Sequence, residues 1–153
     1  NSNKDILLKV NGLVKLKENF DAFKINETYN TLKKTHQLEG SLDLTNSKIK
    51  ISQLNYVKKI GKECNLIFNV NFILNQYYNI QNINFISNKS KINLSKVKLN
   101  KNFELLNFKK FEVKNFNENI KNNDIYVVKE KNINIKGKIF DAEPLLNSLY
   151  KKK

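Results

Sequence analysis

Apolar and polar side chains alternate along most of this chain. From Cys64 to Leu74 the even positions Cys64, Leu66, Phe68, Val70, Phe72 and Leu74 are all apolar. Asn65, Asn69 and Asn71 occupy odd positions, interrupted by Ile67 and Ile73. A period of two belongs to a strand with one buried face. At about 3.3 Å per residue this stretch spans roughly 35 Å, longer than most small sandwiches need.

The same alternation recurs. Leu8, Val10, Val14 and Leu16 are interleaved with Lys9, Asn11, Lys15 and Lys17, and Leu38, Gly40, Leu42 and Leu44 follow. Ile49 with Ile51, Ile83 with Phe85, and Ile92 with Leu94 mark further strands. Val97 and Leu99 continue the last of these with a one-residue phase slip near Ser95, which predicts a bulge. Phe111 with Val113, Ile125 to Val128, and Ile133, Ile135, Gly137 and Ile139 complete the series. Polar clusters punctuate it: Lys33 to His36, Lys58 to Lys62 with Gly61, Ser87 to Ser90, Asn100 to Asn102, and Asn117 to Asp124.

Short, regularly spaced strands with short connections predict an antiparallel meander. Only the end changes period. Asp141 is placed to N-cap a short helix, with Pro144 in its first turn. Leu145, Leu146, Leu149 and Tyr150 form its apolar side, and Lys151 to Lys153 suit its C-terminal dipole. The expected fold is mainly β: a long twisted antiparallel meander sheet curled into an open groove, with one short C-terminal helix. No linker interrupts it, so residues 1–153 read as a single β-rich module. The chain begins Asn-Ser-Asn-Lys, without an initiator methionine or the apolar run of a signal peptide, as expected of a piece of a larger protein.

One face of such a sheet is apolar over many strands and the other carries lysine and asparagine. The apolar face must fold on itself as a sandwich or barrel, or curl around something apolar. A ligand thereby becomes physically reasonable.

Composition sharpens the picture. The 153 residues include 28 basic and 14 acidic side chains, a formal charge of +14, and every basic residue is lysine. Lysine, asparagine and isoleucine dominate, as AT-rich coding would produce. Lysine is a flexible point charge, whereas bidentate phosphate and base recognition favours arginine. Basic charge beside Phe68, Phe72, Tyr77, Tyr78 and Phe85 keeps a nucleic-acid-binding domain open as one alternative. No recognition helix or RNA-binding signature accompanies it.

Catalytic chemistry finds little support. The single histidine, His36, reads as a solvated loop residue. The single cysteine, Cys64, reads as a small buried hydrophobe, and one thiol excludes both an internal disulfide and a cysteine-rich zinc site. Asp43, Glu63, Glu104, Glu112, Asp141 and Glu143 are scattered through polar positions without suggesting paired carboxylates. The four glycines lie too far apart for a phosphate loop. The expectation is a non-enzymatic protein with no cofactor and no metal.

Two stretches resemble a known family. Leu42-Asp43-Leu44-Thr45, then Ile49 and Ile51, then Leu54-Asn55-Tyr56-Val57-Lys58-Lys59-Ile60-Gly61-Lys62 is similar to an L-D-L-T, strand, (W/Y)-x-K-x-x-G passage of AsmA-like envelope proteins in their long-chain, YhdP-type branch. Tyr56 stands where that family usually has Trp. Ile135 to Leu146, with Gly137, Phe140-Asp141-Ala142 and Pro144-Leu145-Leu146, resembles the G-x-x-(F/L)-D-A-x-P-L-L ending of a central module there. The resemblance covers roughly residues 38–150. It implies a periplasmic segment of an inner-membrane-anchored protein, with a curled sheet whose apolar groove carries phospholipid toward the outer membrane and helps maintain it. On that reading the groove-lining positions in contact with acyl chains are Cys64, Leu66, Phe68, Val70, Phe72, Leu74, Ile83, Phe85, Ile92, Leu94, Ile133, Ile135 and Ile139. The implied partners are a phospholipid or other acyl-chain lipid and adjoining β segments of the parent chain, with no specific nucleic acid. A self-contained β-sandwich serving as a scaffold or interaction module is the other alternative.

Overall fold

The computed structural model describes residues 5–150, apart from the side chain of Leu149. Strands β1 (Asp5–Leu16), β2 (Asn19–Asn30) and β3 (Thr35–Asp43) are followed by two short strands, β4 (Ile49–Ile51) and β5 (Tyr56–Lys58). Then come β6 (Asn65–Ile73), β7 (Tyr77–Ser87), β8 (Ser90–Asn100), β9 (Leu105–Asn107), β10 (Lys110–Asn117), β11 (Ile120–Lys129) and β12 (Ile133–Ile139). One helix, α1 (Glu143–Tyr150), closes the described chain. The Asp141 carboxylate accepts the Glu143 N–H at 3.1 Å, the N-terminal role its position predicted. Lys151–Lys153 and the Leu149 side chain, assigned to that helix from sequence, lie outside the described residues.

All pairings are antiparallel. The main sheet has ten strands in the order β1-β2-β3-β6-β7-β8-β10-β11-β12, with β9 also on β8. The predicted meander is therefore present, and it is not closed into a barrel. Its tight turns rest on left-handed residues that twist with the strands: Lys17 at φ 59°, Asn88 at 50° and Glu118 at 55°.

Register fixes the faces. Leu42, Leu66, Phe85, Ile92, Val113 and Ile125 succeed one another across the sheet, as do Gly40, Phe68, Ile83, Leu94, Phe111 and Val127. The slip expected near Ser95 is real. Lys96 takes φ 51°, and both β7 and β8 step over one residue between the Ile83↔Leu94 and Ile80↔Val97 pairs. A register shift lies between Asp124 and Ile125, pairing Ile125 with Gly137 but Asp124 with Ile139. Gly137 is needed there, because a Cβ would sit 2.7 Å from the Asp124 carbonyl.

Some expectations fail. The alternation did not reveal β2, whose inward positions include Asp21 and Glu27. The stretch read as a turn from Asn117 to Asp124 turns only at Glu118–Asn119, and β11 starts at Ile120. His36 is not a loop residue. It lies half-buried in β3, where Nδ1 is 2.6 Å from Glu27 Oε1.

Candidate functional site

Between β3 and β6 the chain leaves the sheet. Residues 44–64 form a strap built around the β4–β5 pair, laid over the apolar face at one end of the strands. Leu44, Tyr56 and Cys64 from the strap and its return bury against Phe85, Ile92 and Val113 of the sheet. Leu16, Leu42, Leu66, Leu94, Phe111 and Ile125 pack around them. Tyr56 meets Phe85 edge-to-face at 5.8 Å between centroids. Burial raises the Tyr56 phenol and pushes the Cys64 thiol up to about 11.

Polar clamps hold the strap down. Asn123 Nδ2 donates to the Leu54 carbonyl at 3.1 Å and to Asn115 Oδ1 at 2.8 Å, and Asn115 Nδ2 reaches the same carbonyl at 3.3 Å. Both asparagines are essentially fully buried. Asn117 and Asn122 donate to the carbonyl of Asn55, a left-handed residue at φ 47°. The Asp141 N–H donates to Asn123 Oδ1 at 2.9 Å, tying the helix approach into the same network. At the other side buried Asp21 accepts the Asn46 N–H at 2.9 Å and the Ser47 hydroxyl. Lys58, only 3% exposed, spends its ammonium on the carbonyls of Leu44, Thr45 and Lys62 at 2.7–3.0 Å. The buried groups of the strap's clamps are thus satisfied in pairs, which gives the strap one position.

Away from the strap most of the apolar face is uncovered, with Val97 buried on it at 5% exposure. Phe68, Val70, Ile80, Ile83, Leu94 and Val127 are half-buried by their neighbours in the sheet. At the margins Ile6, Leu8, Ile133 and Ile135 are each more than half exposed. At the end away from the strap, rings stack from strand to strand. Tyr29, His36, Phe72, Tyr78 and Phe103 follow one another with centroids 4.5, 4.7, 5.7 and 4.6 Å apart. The face is a trough with an aromatic end and a sealed end. Recesses of about 390 and 410 Å³ flank the strap, but Lys59, Lys62, Lys89, Glu118, Gln53, Asn147 and other polar groups line them, so they lie off the apolar surface.

Of the thirteen positions expected to line a groove, Leu66, Phe68, Val70, Phe72, Ile83, Leu94, Ile133 and Ile135 share the open face or its border with the strap. Cys64, Phe85 and Ile92 are buried beneath the strap, where no ligand reaches without lifting it. Leu74 sits in the β6–β7 turn, 58% exposed. Ile139 falls past the register shift, opposite Asp124 and out of line with Ile133 and Ile135. Sequence reasoning missed Ile25, Tyr29 and Tyr78 because polar residues break the alternation in β2 and at the start of β7, His36 because it reads as a loop residue, and Phe103 because it lies between β8 and β9.

Among the described residues no three His, Cys, Asp or Glu side chains gather as metal ligands, and no helix is long and apolar enough to cross a membrane. Compared with known proteins, the chain matches no family model, no curated protein and no solved structure.

Proposed function

We propose that this chain is a non-enzymatic lipid-binding segment whose trough holds the acyl chains of a phospholipid. The observation that carries the reading is the mainly apolar face that runs from β1 to β12, interrupted by Glu27 and His36 and left open beyond the strap. Apolar faces of this extent are rarely left to water in monomeric proteins. Each methylene moved from water onto it contributes roughly 0.8 kcal/mol, so binding needs no directional bond. The Glu27–His36 pair lies on this face, while along the rows of Phe68, Val70, Ile83 and Leu94 an acyl chain would be free to slide.

The resemblance of residues 38–150 to AsmA-like proteins supports an envelope setting: a periplasmic segment of an inner-membrane-anchored protein that helps move phospholipid to the outer membrane. Lysines on the outer face and rim then meet headgroups or water. Mass spectrometry of organic extracts from the purified protein tests the reading. Stoichiometric phospholipid is expected. Lipid-free protein that also fails to take up phospholipid from vesicles would refute it.

A further inference from the structure

We infer that the outer edge of β1 is an interface with a second copy of this chain, the two β1 strands pairing antiparallel about a two-fold axis at Val10. The inference is independent of what the trough holds.

The two edges of the sheet are unlike. At one, β12 is seven residues long and its pairing with β11 is broken by a register shift. Those are the devices by which natural sheets discourage edge pairing. At the other, β1 runs twelve residues without proline, in unbroken register with β2, and no described strand pairs its outer side. The tight Lys17–Glu18 turn makes Leu16↔Asn19 a hydrogen-bonded pair, so odd-numbered residues of β1 turn their N–H and C=O groups outward.

The side chains then choose the partner. Leu7 and Leu13 lie on the polar face, among Lys9, Asn11 and Lys15, and are 59% and 68% exposed. The trough does not explain them. Pairing Val10 with the second copy's Val10 places Leu7 against the second copy's Leu13, and Asp5 against its Lys15. On the other face Ile6 meets Val14, and the apolar surface runs on unbroken into the second copy. Moving the register by two residues sets Lys9 against Lys9 in one direction and Leu7 against Lys15 in the other. A head-to-tail pairing with β12 would set the outward leucines beside Asn134 and Lys136, and would not close.

Val10 on the axis is a non-hydrogen-bonded pair, with Cα atoms roughly 4.5 Å apart, within disulfide reach. Val10→Cys should therefore cross-link to itself under mild oxidation, whereas Leu8→Cys, facing Gly12, should not. Cys64 is fully buried and gives no background. Sedimentation velocity at micromolar concentration should show a dimer. Asn11→Pro, which removes an outward N–H and leaves the β2 pairing intact, should weaken it about tenfold or more with an unchanged circular dichroism spectrum. A monomeric parent protein, equal cross-linking of Leu8→Cys and Val10→Cys, or a folded Asn11→Pro protein with undiminished dimerisation would each overturn the inference.

Discussion

Replacing Phe68 with aspartate separates an open trough from a closed core. The Phe68 ring lies across Gly40, where a Cβ would overlap it, and faces Ile83 on the next strand. It is half-buried. Full burial of such a side chain is worth about 1.5–3 kcal/mol, so roughly half of that is lost. The poor strand preference of aspartate adds up to about 1 kcal/mol. The carboxylate stays hydrated on an uncovered face, so no further desolvation cost arises. The sum is about 2 kcal/mol, or a fall in Tm of about 4–8 °C for a chain of this size. In a closed core the same change would lose about 3–5 kcal/mol of packing and bury an unpaired charge, which exhausts the stability of an ordinary domain. The control is Ile67→Asp, one residue earlier on the outer face, where Ile67 is 45% exposed. Thermal melts and titration with a fluorescent fatty acid read both effects. Phe68→Asp should stay folded and lose lipid capture at least tenfold, while Ile67→Asp keeps it. Outright unfolding of Phe68→Asp, or equal loss of capture in the two variants, would refute the reasoning.

Three further outcomes are expected. Asn123→Leu strands the Asn115 amide oxygen and the Asp141 N–H and leaves the Leu54 carbonyl only its longer bond from Asn115, costing about 2–4 kcal/mol in a denaturant titration and exposing Cys64 to thiol reagents in the folded state. The Cys64 thiol, raised to about 11 by burial, stays neutral in the folded protein while the unfolded thiol ionises near 9. Its stabilising effect is therefore complete below about pH 9 and fades toward 11, so pH-dependent melts should fall across that window and Cys64→Val should flatten the fall. Because the basic residues are all lysine, any binding to DNA should collapse between about 50 and 200 mM salt; sequence-selective binding that persists would displace the lipid reading.

β6 and β8 were legible because their inward positions from Leu66 to Phe72 and from Ile92 to Leu99 are apolar, and even the slip at Lys96 left a trace in Leu94 and Val97. β2 was not, since two of its inward positions are acids: Asp21 ties down Asn46 and Ser47, and Glu27 meets His36. A period-two test counts those as faults, whereas they are inward polar groups whose partners lie elsewhere in the chain. The strap was legible as Ile49 and Ile51 but not as a cover, because alternation does not say whether a strand joins the sheet or crosses it. Asn117, Asn122 and Asn123 read as turn formers by type, and Asn115 drew no reading at all. Their work as clamps depends on Leu54 and Asn55, some sixty residues earlier in the chain. The fate of Cys64, Phe85 and Ile92 follows from the same gap, since only the strap's path decides which apolar residues a ligand can touch.

The central claim, that the uncovered face holds acyl chains, is tested most directly by photo-cross-linking with a phospholipid carrying a diazirine in its acyl chain, followed by peptide mapping. Label is expected on Phe68, Val70, Ile83, Leu94 and Val127, with little on Asn69, Asn84 or Asn93 of the opposite face and none on Cys64 beneath the strap. Label spread evenly over both faces, or no more label on the folded protein than on the denatured chain, would contradict it.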